Sequence, residues 1–249
     1  MTPVARSLWA RRASVHDAPA RVHDTPLTFR APLLPPVTLV QLNETLHSKP
    51  SRRLHFCGHA DVEWGSGGAK RFTLGFTTSA SRIAPVEPRL IAQYLGRHAV
   101  SRGGALELVF INGCRSLDLG RAVRDAGVPY VVCWASACDS LAATYFAATF
   151  YRAFAQTSEY ELAFADACNF STSVTVSATD ERHRSWAQIP KYELRPPNTP
   201  SAADFEPKPI AAGVPALLLA DGRELGPGAS GTTAPLEAGC SAQPARDSH

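Results

Sequence analysis

Apolar and polar positions along this chain follow two periods and switch between them repeatedly. Leu39, Leu42 and Leu46 recur at helical spacing inside Val37–Ser48. That stretch stands behind Pro35-Pro36 and ahead of Ser48-Lys49-Pro50, so it predicts a helix with a proline-marked start and stop. Arg53–Cys57 predicts a strand. Phe72-Thr73-Leu74-Gly75-Phe76 alternates, and Gly65, Gly67 and Gly68 precede it, so Val62–Phe76 predicts a hairpin. Pro85 and Pro88 open a helix running to about His98, with Leu90, Ile91, Tyr94 and Leu95 as its apolar face; Arg102-Gly103-Gly104 ends it.

Leu106–Ile111 is almost wholly apolar, as a central parallel strand should be. A short helix over Leu117–Ala126 ends at Gly127, and Tyr130–Trp134 predicts another apolar strand. Asp139 is placed to cap a helix over Ser140–Gln156, and a further helix covers Glu159–Cys168. Leu27-Thr28-Phe29, Thr172–Ser177 and Ala216–Ala220 carry weaker strand signals, the last one followed by the turn pair Asp221-Gly222. Strands alternating with helices predict an α/β fold: a mostly parallel sheet with helices on both faces. Ligands of such sheets sit at the carboxyl ends of the strands.

Proline placement suggests domain limits. Of 20 prolines, seven lie in residues 1–50 and ten in 190–249, with only Pro85, Pro88 and Pro129 between. The expected organisation is a disordered segment over 1–25, a folded domain over 26–190, and a Pro/Gly-rich, mostly flexible tail over 191–249. A formal net charge of +3 with no dense basic run argues against nucleic acid as a partner. No apolar run approaches a membrane span. Arg6, Arg11, Arg12 and Arg21 with no acid before Asp17 give the amino end a faint transit-peptide character, without a secretory apolar core. The six cysteines (57, 114, 133, 138, 168 and 240) show no paired spacing, which suggests reduced thiols and a cytoplasmic setting.

Two strands run into small residues and then reactive side chains. Leu54–Cys57 leads into Gly58-His59-Ala60-Asp61, and Leu108–Ile111 leads into Asn112-Gly113-Cys114-Arg115-Ser116. Neighbouring parallel strands would bring His59 and Cys114, 55 positions apart, to one sheet edge as base and nucleophile. Arg115 and the following helix start favour a thiolate at Cys114. The backbone N–H groups of Cys114 and of the Gly58–Ala60 turn are candidate oxyanion donors, and Gly58 and Gly113 leave room for a substrate backbone. Cys57 reads as a packing residue. His55 is the weaker candidate base, because it lies inside its strand. Asp61 either orients His59, binds substrate, or is a solvated turn residue.

Other chemistries fail on spacing. The arginines fall one and seven positions after Cys114, not at the phosphatase interval. Cys133 and Cys138 lack a completing zinc set. Gly65–Lys70 lacks the full phosphate-loop form. No cofactor is expected.

The His59 and Cys114 motifs resemble those of the caspase-like cysteine peptidases: caspases, separases, gingipains and CHAT domains. Asn112–Ser116, with Gly127-Val128-Pro129 and Trp134–Asp139 following, is most similar to a CHAT domain. Ala60 departs from the glycine usual after the histidine. The resemblance implies a caspase-like three-layer α/β/α fold. It also implies a cysteine endopeptidase acting on a protein or peptide, with a separate sensor or activator protein. By likeness to separases it gives Asp139 a part in a pocket for a basic residue. Asp139 as a plain helix cap remains equally open, and the two are not exclusive. The alternative function is a catalytically silent caspase-like module that regulates or binds other proteins.

Overall fold

The structure is a computed structural model, and it describes residues 38–64, 71–77, 83–180 and 185–228. The weak strand signal at residues 27–29 and the amino-terminal segment lie outside them. Helix α1 (Leu39–Ser48) has a capping box: Thr38 accepts from the Gln41 N–H, and the Gln41 side chain accepts from the Thr38 N–H. Strand β1 (Arg53–Cys57) follows. Two small hairpins come next. The first pairs β2 (Val62–Trp64) with β3 (Arg71–Thr73), and the second pairs β4 (Gly75–Thr77) with β5 (Ile83–Pro85). The single hairpin expected over 62–76 is thus the first of two.

Helix α2 (Pro88–Arg97) begins on its proline, and a short 3-10 turn covers Val100–Arg102. Of the four residues expected on its apolar face, Ile91 and Leu95 are buried, whereas Leu90 is exposed. Then come β6 (Leu108–Asn112), α3 (Leu117–Asp125), β7 (Tyr130–Trp134), α4 (Ser140–Thr157) and α5 (Tyr160–Ser173). The last elements are β8 (Thr175–Asp180), β9 (Ser185–Pro190), β10 (Tyr192–Glu193), β11 (Ile210–Ala211), β12 (Pro215–Leu219) and β13 (Glu224–Leu225).

Five strands form the central sheet, in the order β1-β6-β7-β12-β13. β1, β6 and β7 pair in parallel, while β12 runs antiparallel to both of its neighbours, so four of the five point the same way. Every residue of β6 and β12 is buried, which explains why both read as unbroken apolar runs. Alternate residues serve opposite faces. Val109, Ile111, Val131, Cys133, Ala216 and Leu218 pack with Leu46, Ile91, Leu95, Leu119 and Val123 of α1, α2 and α3. Phe110, Val132, Trp134, Leu217 and Leu219 pack with Phe146, Phe150 and Phe164 of α4 and α5. Edge-on ring pairs join them, Phe110 to Phe150 at 5.3 Å and Trp134 to Phe146 at 5.4 Å. Each such fully buried side chain stabilises the fold by about 1.5–3 kcal/mol.

Within the expected tail over 191–249, the strand signal at Ala216–Ala220 corresponds to β12, so that part of the region belongs to the folded sheet. β12 lies between β7 and β13, paired from Pro215–Trp134 to Leu219–Tyr130. Five successive apolar residues need burial on both faces, and only a place inside the sheet supplies it. Pro215 stands at the strand's first position, where a missing N–H is tolerated.

Candidate active site

The site forms where β1 and β6 end. Their register pairs Cys57 with Asn112, and the Gly58 N–H donates to the Asn112 carbonyl at 3.4 Å. His59 and Cys114 therefore each stand two residues past the last paired positions, on the same edge of the sheet. The turns that carry them touch. A Cβ on Gly113 would lie 2.6 Å from the Gly58 carbonyl oxygen and 2.7 Å from the Ala60 Cβ, so this position admits only glycine. Ala60 is wholly buried, and its φ lies outside the left-handed region. The methyl that replaces the usual glycine therefore causes no backbone strain and fills the space Gly113 leaves.

Ser116 fixes the Cys114 turn, a role that single-residue reasoning missed. Its hydroxyl donates to the Gly113 carbonyl at 2.8 Å and accepts the Trp134 N–H at 3.0 Å. Asn112 is buried beside it and accepts from the Trp134 indole at 3.0 Å. Arg115 has φ 53°, and its N–H donates to the Ser136 carbonyl at 2.9 Å. This sharp turn presents Cys114 half-buried at the end of the strand. The Arg115 guanidinium lies over the Phe72 ring at 5.2 Å, which ties the turn to the first hairpin.

The immediate neighbour of Cys114 is Cys138, in the loop between β7 and α4. The Cys138 N–H points to Cys114 Sγ at 3.4 Å, and the two sulfurs are 3.8 Å apart. Burial, with Cys114 adding to it, holds the Cys138 thiol well above the ordinary range. Among the described residues, the N–H groups of His59, Ala60 and Cys114 have no acceptor.

His59 is open to solvent, its side chain 70% exposed, with Nδ1 3.9 Å from Asp61 Oδ1. It shares no hydrogen bond with Cys114. His55 is a different kind of histidine. It stacks on Phe110 at 4.7 Å and bonds the Tyr151 hydroxyl at 3.1 Å, and burial lowers its pKa to about 4. It is a neutral core residue on the α4 side. Cys57, read from the sequence as packing, is exposed, because it stands at the end of an edge strand.

Asp139 caps α4. Its Oδ1 accepts the N–H groups of Leu141 and Ala142 at 3.0 and 2.9 Å. Tyr192 is buried close to this carboxylate, and burial, with Asp139 and Tyr145 alongside, pushes its phenol up to about 12. The loop from 135 to 139 is held from the far side by the β11–β12 connection. The Ala135 N–H donates to the Val214 carbonyl, the Val214 N–H to Ser136 Oγ, and the Asp139 N–H to the Ala212 carbonyl. Gly213 (φ +97°) abuts Cys138: a Cβ there would sit 2.9 Å from Cys138 Cα.

A family model of the CHAT domain matches residues 6–189, well over half of the chain. The chain belongs to the CHAT domain family. That family is related to the caspase-like peptidases. The two motifs meeting at the sheet edge lie within the matched stretch, whereas β10–β13 lie beyond it, so this CHAT chain completes its sheet and braces its cysteine loop from outside the match. A comparison with curated proteins gives no match. Among the described residues no three His, Cys, Asp or Glu side chains cluster as metal ligands, and no helix is long and apolar enough to cross a membrane.

Proposed function

We propose that this CHAT domain is a cysteine endopeptidase with Cys114 as nucleophile and His59 as general acid and base. The observation that carries the reading is the contact of the two motif turns at one sheet edge, Gly113 against Gly58 and Ala60. The Cys114 thiolate attacks the scissile carbonyl, and His59 protonates the leaving amine. The N–H groups of Cys114 and of the Gly58–Ala60 turn receive the developing oxyanion. The two helix-covered faces agree with a three-layer α/β/α fold of the caspase type. Asp61 positions the His59 ring, and Asp139, while capping α4, gives the neighbouring surface a preference for a basic residue before the cut.

The second reading, a silent regulatory or binding module, draws on the exposed His59 ring, which is turned toward Asp61 and not bonded to Cys114. Catalytic hydrogen bonds often tighten only when substrate is bound. The purified chain is treated with electrophilic peptide probes carrying Arg, Lys or Asp before the reactive group, and the labelled cysteine is mapped by mass. Labelling of Cys114 in the wild type, lost in Cys114→Ala and reduced at least tenfold in His59→Ala with circular dichroism unchanged, is the expected result. A folded protein whose Cys114 labels no faster than its other cysteines refutes the peptidase reading and favours the silent module.

A further inference from the structure

Cys114 and Cys138 are 24 positions apart, on different loops, yet the distance between their sulfurs is 3.8 Å. A disulfide bond needs about 2.05 Å, so closure requires an approach of roughly 2 Å. Both thiols are free and half-buried. The loop bearing Cys138 packs closely against Gly213, and the Cys138 N–H points at the Cys114 sulfur. Cys138 lies between β7 and the Asp139 cap, outside both elements, and packs in part against the core under α4 and α5.

We propose that Cys114 and Cys138 form a peroxide-responsive thiol pair, in which a reversible disulfide masks Cys114. The reaction balances with a hydroperoxide as oxidant. The Cys114 thiolate attacks one peroxide oxygen: an S–O bond forms, the O–O bond breaks, and the departing oxygen takes up the proton that Cys114 released. Cys138 then attacks the sulfenic sulfur. An S–S bond forms, the S–O bond breaks, and hydroxide leaves with the Cys138 proton as water. Two thiols give up two electrons and two protons, and the peroxide becomes an alcohol and water.

The pair does more than store oxidising equivalents. A sulfenic acid that meets a second peroxide advances to the sulfinic state, its sulfur gaining one oxygen as the O–O bond breaks, and ordinary thiols do not reverse that state. Cys138 within reach diverts it to a bond that they do reverse. Burial keeps the Cys138 thiol protonated, so Cys114 reacts with peroxide first and Cys138 second. That masking stops peptide hydrolysis rests on the peptidase reading; the thiol pair does not.

The test uses the full chain, reduced, desalted and exposed to equimolar hydrogen peroxide. Free thiols are then alkylated, and the protein is digested with trypsin without reduction. Cys133 and Cys138 share one tryptic peptide, so fragmentation must place the bond. The expected product links Cys114 to Cys138, loses probe labelling at Cys114, and recovers it fully with dithiothreitol. In Cys138→Ser the link is gone, and further equivalents of peroxide carry Cys114 to sulfinic acid that dithiothreitol does not rescue. Wild-type Cys114 found as sulfinic acid beside a free Cys138, bonded to Cys57 or to a second chain, or still reduced while other cysteines oxidise, overturns the proposal. The linked product in a protein that hydrolyses no peptide when reduced keeps the thiol pair and removes the peptidase. Hydrolysis without the link does the reverse.

Discussion

Gly113 shows how narrowly the site is drawn at the scale of one residue. Its missing Cβ is what lets the two motif turns approach, with the Gly58 carbonyl 2.6 Å from where that atom would be. Gly113→Ala must push backbone against backbone, which costs about 1–3 kcal/mol. The expected outcome is a lower thermal midpoint together with loss of probe labelling at Cys114, checked on one preparation by calorimetry and mass mapping. His55 gives a prediction in pH. Its folded pKa is lowered from 6.5 to about 4 by burial, so the unfolded chain takes a proton that the fold refuses. Stability therefore falls as pH drops through 6.5 and goes on falling to about 4. Urea titrations should show this slope in the wild type and not in His55→Phe. These residues differed in legibility. Strand-end position set His59 and Cys114 apart in the sequence, because a short strand-like run followed by a small residue shows where a strand stops. Cys138 was not legible as their neighbour. Its approach depends on a loop path that no local spacing encodes.

Elements were easier to read where prolines, glycines and caps punctuate them. Pro88, Gly127 and Asp139 mark real boundaries of α2, α3 and α4 within one or two residues. The ties between elements were not readable. Arg121 and Arg124 of α3 converge on Glu224 of β13 at 2.8 and 3.2 Å, a hundred residues away in the chain. The Arg121 bond, with Arg124 helping, holds the Glu224 carboxyl below its ordinary 4.5. A lowered acid pKa stabilises the fold above 4.5, and that contribution is lost as pH falls through the folded value. Glu224→Gln should cost about 1–3 kcal/mol at neutral pH, since two half-buried guanidinium groups lose their charged acceptor. The same variant should lose less than the wild type does on acidification below pH 4.5, which chemical denaturation at a series of pH values measures.

Over the whole molecule, the sheet draws its fourth strand from a region that composition suggests is loose. Ten prolines beyond residue 189 give the region the look of a tail, and the short run at Ala216–Ala220 carries only a weak strand signal, being too brief to show a period. Yet Leu217, Leu218 and Leu219 are almost completely buried. Together they contribute roughly 5–9 kcal/mol of burial, a sum comparable to the net stability of a typical domain. Ending the chain after Pro190 should therefore abolish cooperative unfolding, even though the whole of the family match is kept. Leu217→Ala should lower stability by about 2–5 kcal/mol in a protein that still folds.

The brace at Ala212–Val214 also has a consequence in time. A ribosome releases the histidine and cysteine turns early, and the segment that grips the Cys138 loop follows Cys114 by about a hundred residues. Translation runs at about 5–20 residues per second, so a delay of several seconds separates the two. Through that interval the nascent chain carries both reactive side chains with neither the brace nor the closing strand in place. The site is thus among the last parts of the protein to be completed, and the polypeptide is synthesised in an unassembled form.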